Sequence, residues 1–118
     1  MTLEELVGEY SITGTNQNAE LSSYKGILNL ALDENQRIKA KWLINNSQEQ
    51  FGNGFFKDNI LVINFNYKSE NTIFKGVVVY KCISKDVLEG FWSEKHGDPN
   101  FIGEERCFRN NQLKETIN

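Results

Sequence analysis

GVVVYKCISKDVLEGFWSE, residues 76–94, holds two runs of strand-forming residues joined by a short polar break. Each run carries a glycine close to a large aromatic, although glycine weakens the interior of a strand. Period-two alternation gives the reason. In 72–83, Phe74, Gly76, Val78, Tyr80 and Cys82 share one face; in 87–94, Leu88, Gly90 and Trp92 share one face, with Glu89 and Ser93 opposite. The connection Ser84-Lys85-Asp86 then sets Cys82 opposite Leu88, Tyr80 opposite Gly90 and Val78 opposite Trp92. Gly90 leaves room into which the Tyr80 ring can lie, and glycines let strands coil sharply enough to close a sheet. Gly26, two residues after Tyr24, reads as a repeat of the arrangement.

The same alternation extends outward along the chain. Strands are expected at 8–14, 23–32, 36–44, 48–56, 59–67, 72–83, 87–94 and 101–109, with no helical period after Gly8. Before them, TLEEL carries a capping-box pattern, Thr2 with Glu5 three residues on, which predicts a short helical turn. Inward positions are Tyr10 and Ile12; Tyr24, Leu28, Leu30 and Leu32; Ile38, Ala40, Trp42 and Ile44; and Leu61, Ile63 and Phe65. GNG at 52–54 is expected to mark a bend or bulge. An even antiparallel meander of this size closes into an up-and-down barrel and so loses its edges. The fold class is therefore all-β, an eight-stranded antiparallel barrel with a short N-terminal helical turn, in one domain over residues 1–118.

The connections differ in length. Those near 33–35, 57–58 and 84–86 are tight; those at 15–22, 45–48, 68–71 and 95–100 are longer or looser. Alternate connections of a meander lie at opposite ends, so one end is expected closed and the other open.

Composition narrows the function classes. The chain has 118 residues, enough for a core without metal or disulfide staples, and eight Phe, four Tyr and two Trp to build it from rings. A net charge of −3 and the absence of a basic stretch argue against nucleic acid as partner. No run of apolar residues is long enough to span a membrane and no leader pattern opens the chain, so a cytoplasmic protein is expected. Cys82 and Cys107 have no zinc spacing and read as reduced, buried thiols.

At the head of the first strand, just after the helical turn, Gly8-Glu9-Tyr10 looks like the G-x-W motif of lipocalins, and the whole pattern resembles the calycin barrels: lipocalins, fatty-acid-binding proteins and avidins. In lipocalins the Trp closes the barrel base and an Arg from the end of the last strand packs across it. The resemblance assigns barrel closure to Tyr10, which stands in place of the Trp, with Arg109 or Arg106 as the cation. It implies small-molecule binding by analogy of fold.

The eighth run, FIGEERCFR, places an acid and an arginine on each face, so one such pair must turn inward. We take Glu105 and Arg109 as the inward set, because Arg109 falls at the same end as Tyr10. The pair reads either as a closure of the base or as a polar handle for a ligand. His96, the single histidine, sits in the KHGDPN loop with Asp98 nearby, and reads as an exposed loop residue rather than a catalytic or haem-ligating one.

These readings converge on a non-catalytic binding protein for a small apolar or aromatic ligand, held among Tyr24, Leu28, Trp42, Phe65, Phe74, Tyr80, Trp92 and Glu105. No metal, cofactor, nucleic acid or membrane is expected. Two other readings are a structural or interaction barrel with a packed lumen, and a barrel isomerase or cyclase working through a buried Glu–Arg pair. Outward Ile60, Val62, Val77, Val79, Ile83, Val87 and Phe91 form an apolar stripe, which predicts a homodimer through 59–67, 72–83 and 87–94 unless the N-terminal helix or the tail 110–118 covers it.

Overall fold

The computed structural model describes residues 1–110. After helix α1 (Leu3–Leu6) come β1 (Gly8–Thr15), β2 (Ser23–Leu32), β3 (Ile38–Ile44), β4 (Gln48–Lys57), β5 (Ile60–Ser69), β6 (Thr72–Cys82), β7 (Val87–Glu94) and β8 (Gly103–Arg109). Each strand pairs antiparallel with the next, and β1 pairs with β8 to close the barrel. The capping box forms as expected: the Thr2 amide donates to Glu5 Oε1 at 2.8 Å and the Glu5 amide to Thr2 Oγ1 at 3.4 Å.

The β6–β7 register pairs Cys82 with Leu88, Tyr80 with Gly90 and Val78 with Trp92. At three further places a glycine pairs with an aromatic whose ring lies over it: Gly14 with Tyr24, Gly76 with Phe65 and Gly103 with Trp92. In each of the four pairs the aromatic ring lies over its glycine, where a Cβ would collide with it; at Gly90 the collision would be with Tyr80 Cδ1 at 2.6 Å. Gly26 has another reason. A Cβ there would strike the backbone of Leu43 and Ile44, so Tyr24 owes its space to Gly14. The glycine–aromatic pairing is thus how a narrow barrel admits wide rings without overpacking.

Three expectations, about β3, β4 and the turns, are corrected. The GNG segment contains no bulge, since its pairing runs unbroken on both sides. Gly52 and Gly54 are needed because β4 comes so close to β5 that a Cβ would meet the carbonyls of Asn64 and Val62. The connections at 45–48 and 68–71 are tight. Asn45-Asn46 and Glu70-Asn71 take positive φ at both positions, as Asp58-Asn59 does at the other end. Paired positive φ matches the twist of the flanking strands and permits short hairpins. The third strand starts at Ile38, two residues later than expected, because Asp33 Oδ1 accepts the amides of Asn35 and Arg37 at 2.8 and 2.9 Å and holds that stretch as a turn.

One end of the barrel is shut by α1 and the connections β2–β3, β4–β5 and β6–β7. Leu6 and Tyr10 are fully buried there. The Tyr10 hydroxyl lies 2.9 Å from the carbonyls of Leu6 and Lys85, and accepts from Arg109 Nη2 at 2.8 Å. The Arg109 guanidinium sits over the Tyr10 ring, 4.8 Å from its centre. It donates to the carbonyls of Val7, Glu5 and Lys85 and meets Asp86 Oδ1 at 3.0 Å. Gly8, at φ +146°, passes against the guanidinium where no other residue would fit.

Among the described residues no helix is long and apolar enough to cross a membrane.

Candidate functional site

At the opposite end the lumen widens into a cavity of about 260 Å³. Its walls are Tyr24, Trp42, Ile44, Phe65, Tyr67, Val78 and Trp92, and its rim is polar, with Asn16, Gln17, Asn18, Gln48, Gln50 and Glu94. Trp42, Phe65 and Trp92 form a chain of edge-to-face contacts at 6.0 and 6.2 Å, and Tyr24 meets Trp92 in the same manner at 6.4 Å. Edge-to-face rings present both faces and edges to a guest, an arrangement suited to another planar ring.

Glu105 projects into the deep part of this cavity and is only 5% exposed. The register explains its surroundings. Its neighbours across β1 and β7 are Gly14 and Gly90, and these are the glycines that seat the Tyr24 and Tyr80 rings. Two glycines therefore clear the space for two tyrosines to flank one carboxyl group. Tyr80 donates its hydroxyl to Glu105 Oε2 and accepts from Trp42 Nε1 at 3.2 Å. Trp92 Nε1 donates to the Tyr24 hydroxyl at 2.9 Å, and that hydroxyl also acts on the carboxyl group. Each indole thus orients one tyrosine.

Burial pushes the Glu105 carboxyl up to about 7, and the two tyrosine hydroxyls oppose that rise only in part. Loss of solvation also raises the Tyr24 and Tyr80 hydroxyls well above the ordinary phenol range, helped by the nearby carboxylate. Burial raises both thiols: Cys82 to about 11, and Cys107 well above its usual value with Glu105 adding to the effect. Neither is a nucleophile near neutral pH.

The residues expected around a ligand separate into three levels. Tyr24, Trp42, Phe65, Trp92 and Glu105 line the cavity. Leu28 and Tyr80 are fully buried beneath it, Tyr80 reaching it through its bond to Glu105. Phe74 lies toward the rim, stacked on Tyr67 with centres 5.1 Å apart and edge-on to the exposed His96 at 5.2 Å. Glu105 and Arg109 both face inward, as expected, but they form no pair: the arginine is committed to the base. Four residues of strand separate them, roughly 13 Å. A buried Glu–Arg pair is therefore not available to chemistry.

The largest omission from the sequence reading is Gln17. Its Nε2 is within 3.0 Å of Ser93 Oγ and of the carbonyls of Asp98 and Phe101, while Oε1 accepts the Glu94 amide at 3.0 Å. This one side chain fastens the β1–β2 loop to the β7–β8 loop and walls one side of the mouth. Gly97 carries no side chain where Gln17 passes. A lone Gln in a polar loop has no periodicity to mark it. Glu94 and Tyr67 were also missed; Tyr67 donates to Glu94 Oε2 at 2.7 Å, joining two rim positions. No cluster of potential metal ligands occurs among the described residues.

The sequence matches no family model and no curated protein. Solved structures of the same fold do exist. A redesigned β barrel, mFAP0, bound to DFHBI, superposes with a TM-score of 0.69 over 89% of this chain and 99% of that one, at 17% identity. EF1p2_mFAP2b bound to DFHBI gives 0.67, with 91% and 95% covered at 15% identity. A further redesigned barrel, b11L5F_LGL, gives 0.67 over 92% and 94% at 15% identity. At these identities the agreement is one of fold.

Proposed function

We propose that the protein is a lipocalin-like binder of a small planar aromatic ligand. The observation that carries this reading is a 260 Å³ cavity at one end of a closed barrel, walled by aromatic rings and floored by a single buried carboxyl group. Ligand sites are typically concave and apolar, with few polar groups to fix orientation. A lumen packed shut is the reading that this volume disfavours, since it is far more than a few waters need. That redesigned barrels of this fold are bound to DFHBI adds support from a ligand of small size.

Naphthalene-sized neutral probes test the proposal. Titration with 2-naphthol should change Trp42 and Trp92 emission saturably, and Trp42→Phe and Trp92→Phe should each remove part of the change. No saturable change would refute it. Native mass spectrometry of freshly purified protein would identify co-purified small molecules directly.

One observation favours a second reading, that of an isomerase. A carboxyl group held near 7 beside a cavity is suited to proton transfer at neutral pH. Without a partner arginine it would act alone, with Tyr24 and Tyr80 as donors. Solvent deuterium entering 2-tetralone at a rate lost in Glu105→Gln would support this; equal rates with and without protein would exclude it.

A homodimer is also proposed. Outward Phe55, Val62, Val79 and Phe91 lie side by side across β4 to β7. The order Phe-Val-Val-Phe is symmetric about its middle, so a two-fold axis between β5 and β6 lays the row on its own copy. Phe55 and Phe91 are 62% and 49% exposed. Of the two alternative covers, helix α1 lies at the closed base, and the tail 110–118 falls, from residue 111 on, outside the described residues. Val79→Lys with Phe91→Lys should turn a dimer into a monomer in sedimentation; a wild type that is monomeric at high micromolar concentration would end the proposal.

A further inference from the structure

The charges around the cavity select among ligands. Fifteen of the described residues line it, and they include two carboxyl groups, Glu105 at the floor and Glu94 at the rim, but no Lys, Arg or His. The lysines of this end are turned away from the cavity: Lys25 follows inward Tyr24, Lys68 follows Tyr67, Lys75 follows Phe74 and Lys95 follows Glu94, and all four are exposed, as is His96 next to Lys95. The arginine nearest in sequence to Glu105 on its own face is Arg109, bound into the base. An anionic guest would thus enter an acidic, largely dehydrated cup with no cation to meet it, a heavy penalty.

Resting on the binding reading above, we infer that the cavity takes a cationic aromatic ligand, an amidinium or aromatic amine whose charged donor sits on Glu105 while its ring lies among Trp42, Phe65 and Trp92. Three features fit such a guest. The carboxyl group is at the floor, so a planar cation enters charge first. Its Oε2 is oriented by Tyr80, and the carboxyl group still lines the cavity. The aromatic walls attract a cation as well as a ring. Charge-assisted hydrogen bonds are about twice as strong as neutral ones, so the preference over a neutral isostere should be roughly tenfold or more.

The titratable groups facing Glu105 are Tyr24 of β2, Tyr80 of β6 and Cys107 of its own strand, all held neutral by burial, with Glu94 of β7 at the rim of the same cavity. Ionisation of Glu105 therefore governs the charge at the floor between pH 5 and 8.

Benzamidine, benzamide and benzoate are near-isosteric and differ in charge, so they form the test, read by calorimetry and by Trp emission. Benzamidine should bind about tenfold or more tightly than benzamide, and benzoate most weakly. Benzamidine affinity should rise from pH 5 to pH 8 while that of benzamide stays flat. Glu105→Gln should erase the preference for benzamidine over benzamide and flatten the pH dependence of benzamidine binding. Equal binding of the three would overturn the charge selection and leave the aromatic-binding reading standing; benzoate binding best would do the same. Failure of all three to bind would overturn both. Should Glu105→Gln fail to fold, the pH series on the wild type decides: a flat benzamidine profile overturns Glu105 as the counter-ion.

Discussion

Glu105 and Arg109 lie four residues apart on one face of β8, and the barrel treats their charges in opposite ways. At the base, the guanidinium meets a carboxylate, three backbone carbonyls and the Tyr10 hydroxyl, and covers the Tyr10 ring. Its donors are nearly all used. In the lumen the Glu105 carboxyl group has hydroxyl neighbours and no cation among the described residues. A fold that satisfies one charge so completely has no general difficulty in pairing charges. The unpaired acid is therefore a property of the cavity rather than of the strand, and its cost in stability marks the end of the barrel where function is to be sought.

Removal of the two charges should accordingly act in opposite directions. The largest effect is expected at the base. Arg109→Met strands the carbonyls of Val7, Glu5 and Lys85 and the Asp86 carboxylate, and should cost about 3–5 kcal/mol in urea unfolding. A loss below about 1 kcal/mol would mean that the base is closed by apolar packing alone. Glu105→Gln should instead stabilise, and increasingly so as pH rises from 4.5 to 7. The carboxyl group titrates near 7 in the fold, against an ordinary 4.5. Below 4.5 both states keep the proton and the group costs nothing. As pH rises toward 7 only the unfolded chain releases it, and the fold loses about 3 kcal/mol by the upper end of that window. The variant should match wild type at pH 4 and exceed it at pH 8; a pH-independent difference would show that Glu105 is not the titrating group. The smallest effect belongs to Gly90→Ala. Its new methyl meets the Val79 carbonyl at 2.5 Å and Tyr80 Cδ1 at 2.6 Å, costing about 1–3 kcal/mol, and displaces the hydroxyl from Glu105. Ligand-induced Trp emission should weaken in parallel, whereas unchanged emission would place Tyr80 outside the binding mechanism.

The sequence made the barrel legible because alternation is a local signal. Val78, Tyr80 and Cys82 declare their face within five residues, and the β6–β7 register follows from a three-residue connection. Tyr10 and an arginine of the last strand come together through the resemblance of Gly8-Glu9-Tyr10 to a lipocalin motif, and Arg109 is favoured because the ends of a meander must meet. Features that depend on non-local distance were harder to read. Nothing near Arg109 shows that it is consumed by carbonyls from α1 and the β6–β7 turn, so a Glu–Arg pair looked available. The role of Gly14 needed the β1–β2 register, and Gly26 was the nearer glycine in sequence. Asn45-Asn46 and Glu70-Asn71 looked loose because polar residues mark loops of any length, while left-handed pairs make the tightest ones. Gln17 became visible only once two loops distant in sequence were brought side by side.

Closure by β1 and β8 has a consequence in time. Every other pairing joins neighbours in sequence, through hairpins whose ends meet quickly. The last seam joins Tyr10 to Arg109 across nearly the whole chain, so its ordering entropy must be met before its contacts return anything. A nucleus of consecutive hairpins would form first and the seam last. Interactions absent from the transition state govern how fast a protein opens rather than how fast it forms. The guanidinium latch at the base would then act as a clock on opening: Arg109→Met should shift the unfolding arm of a chevron experiment to faster rates and leave the folding arm nearly in place.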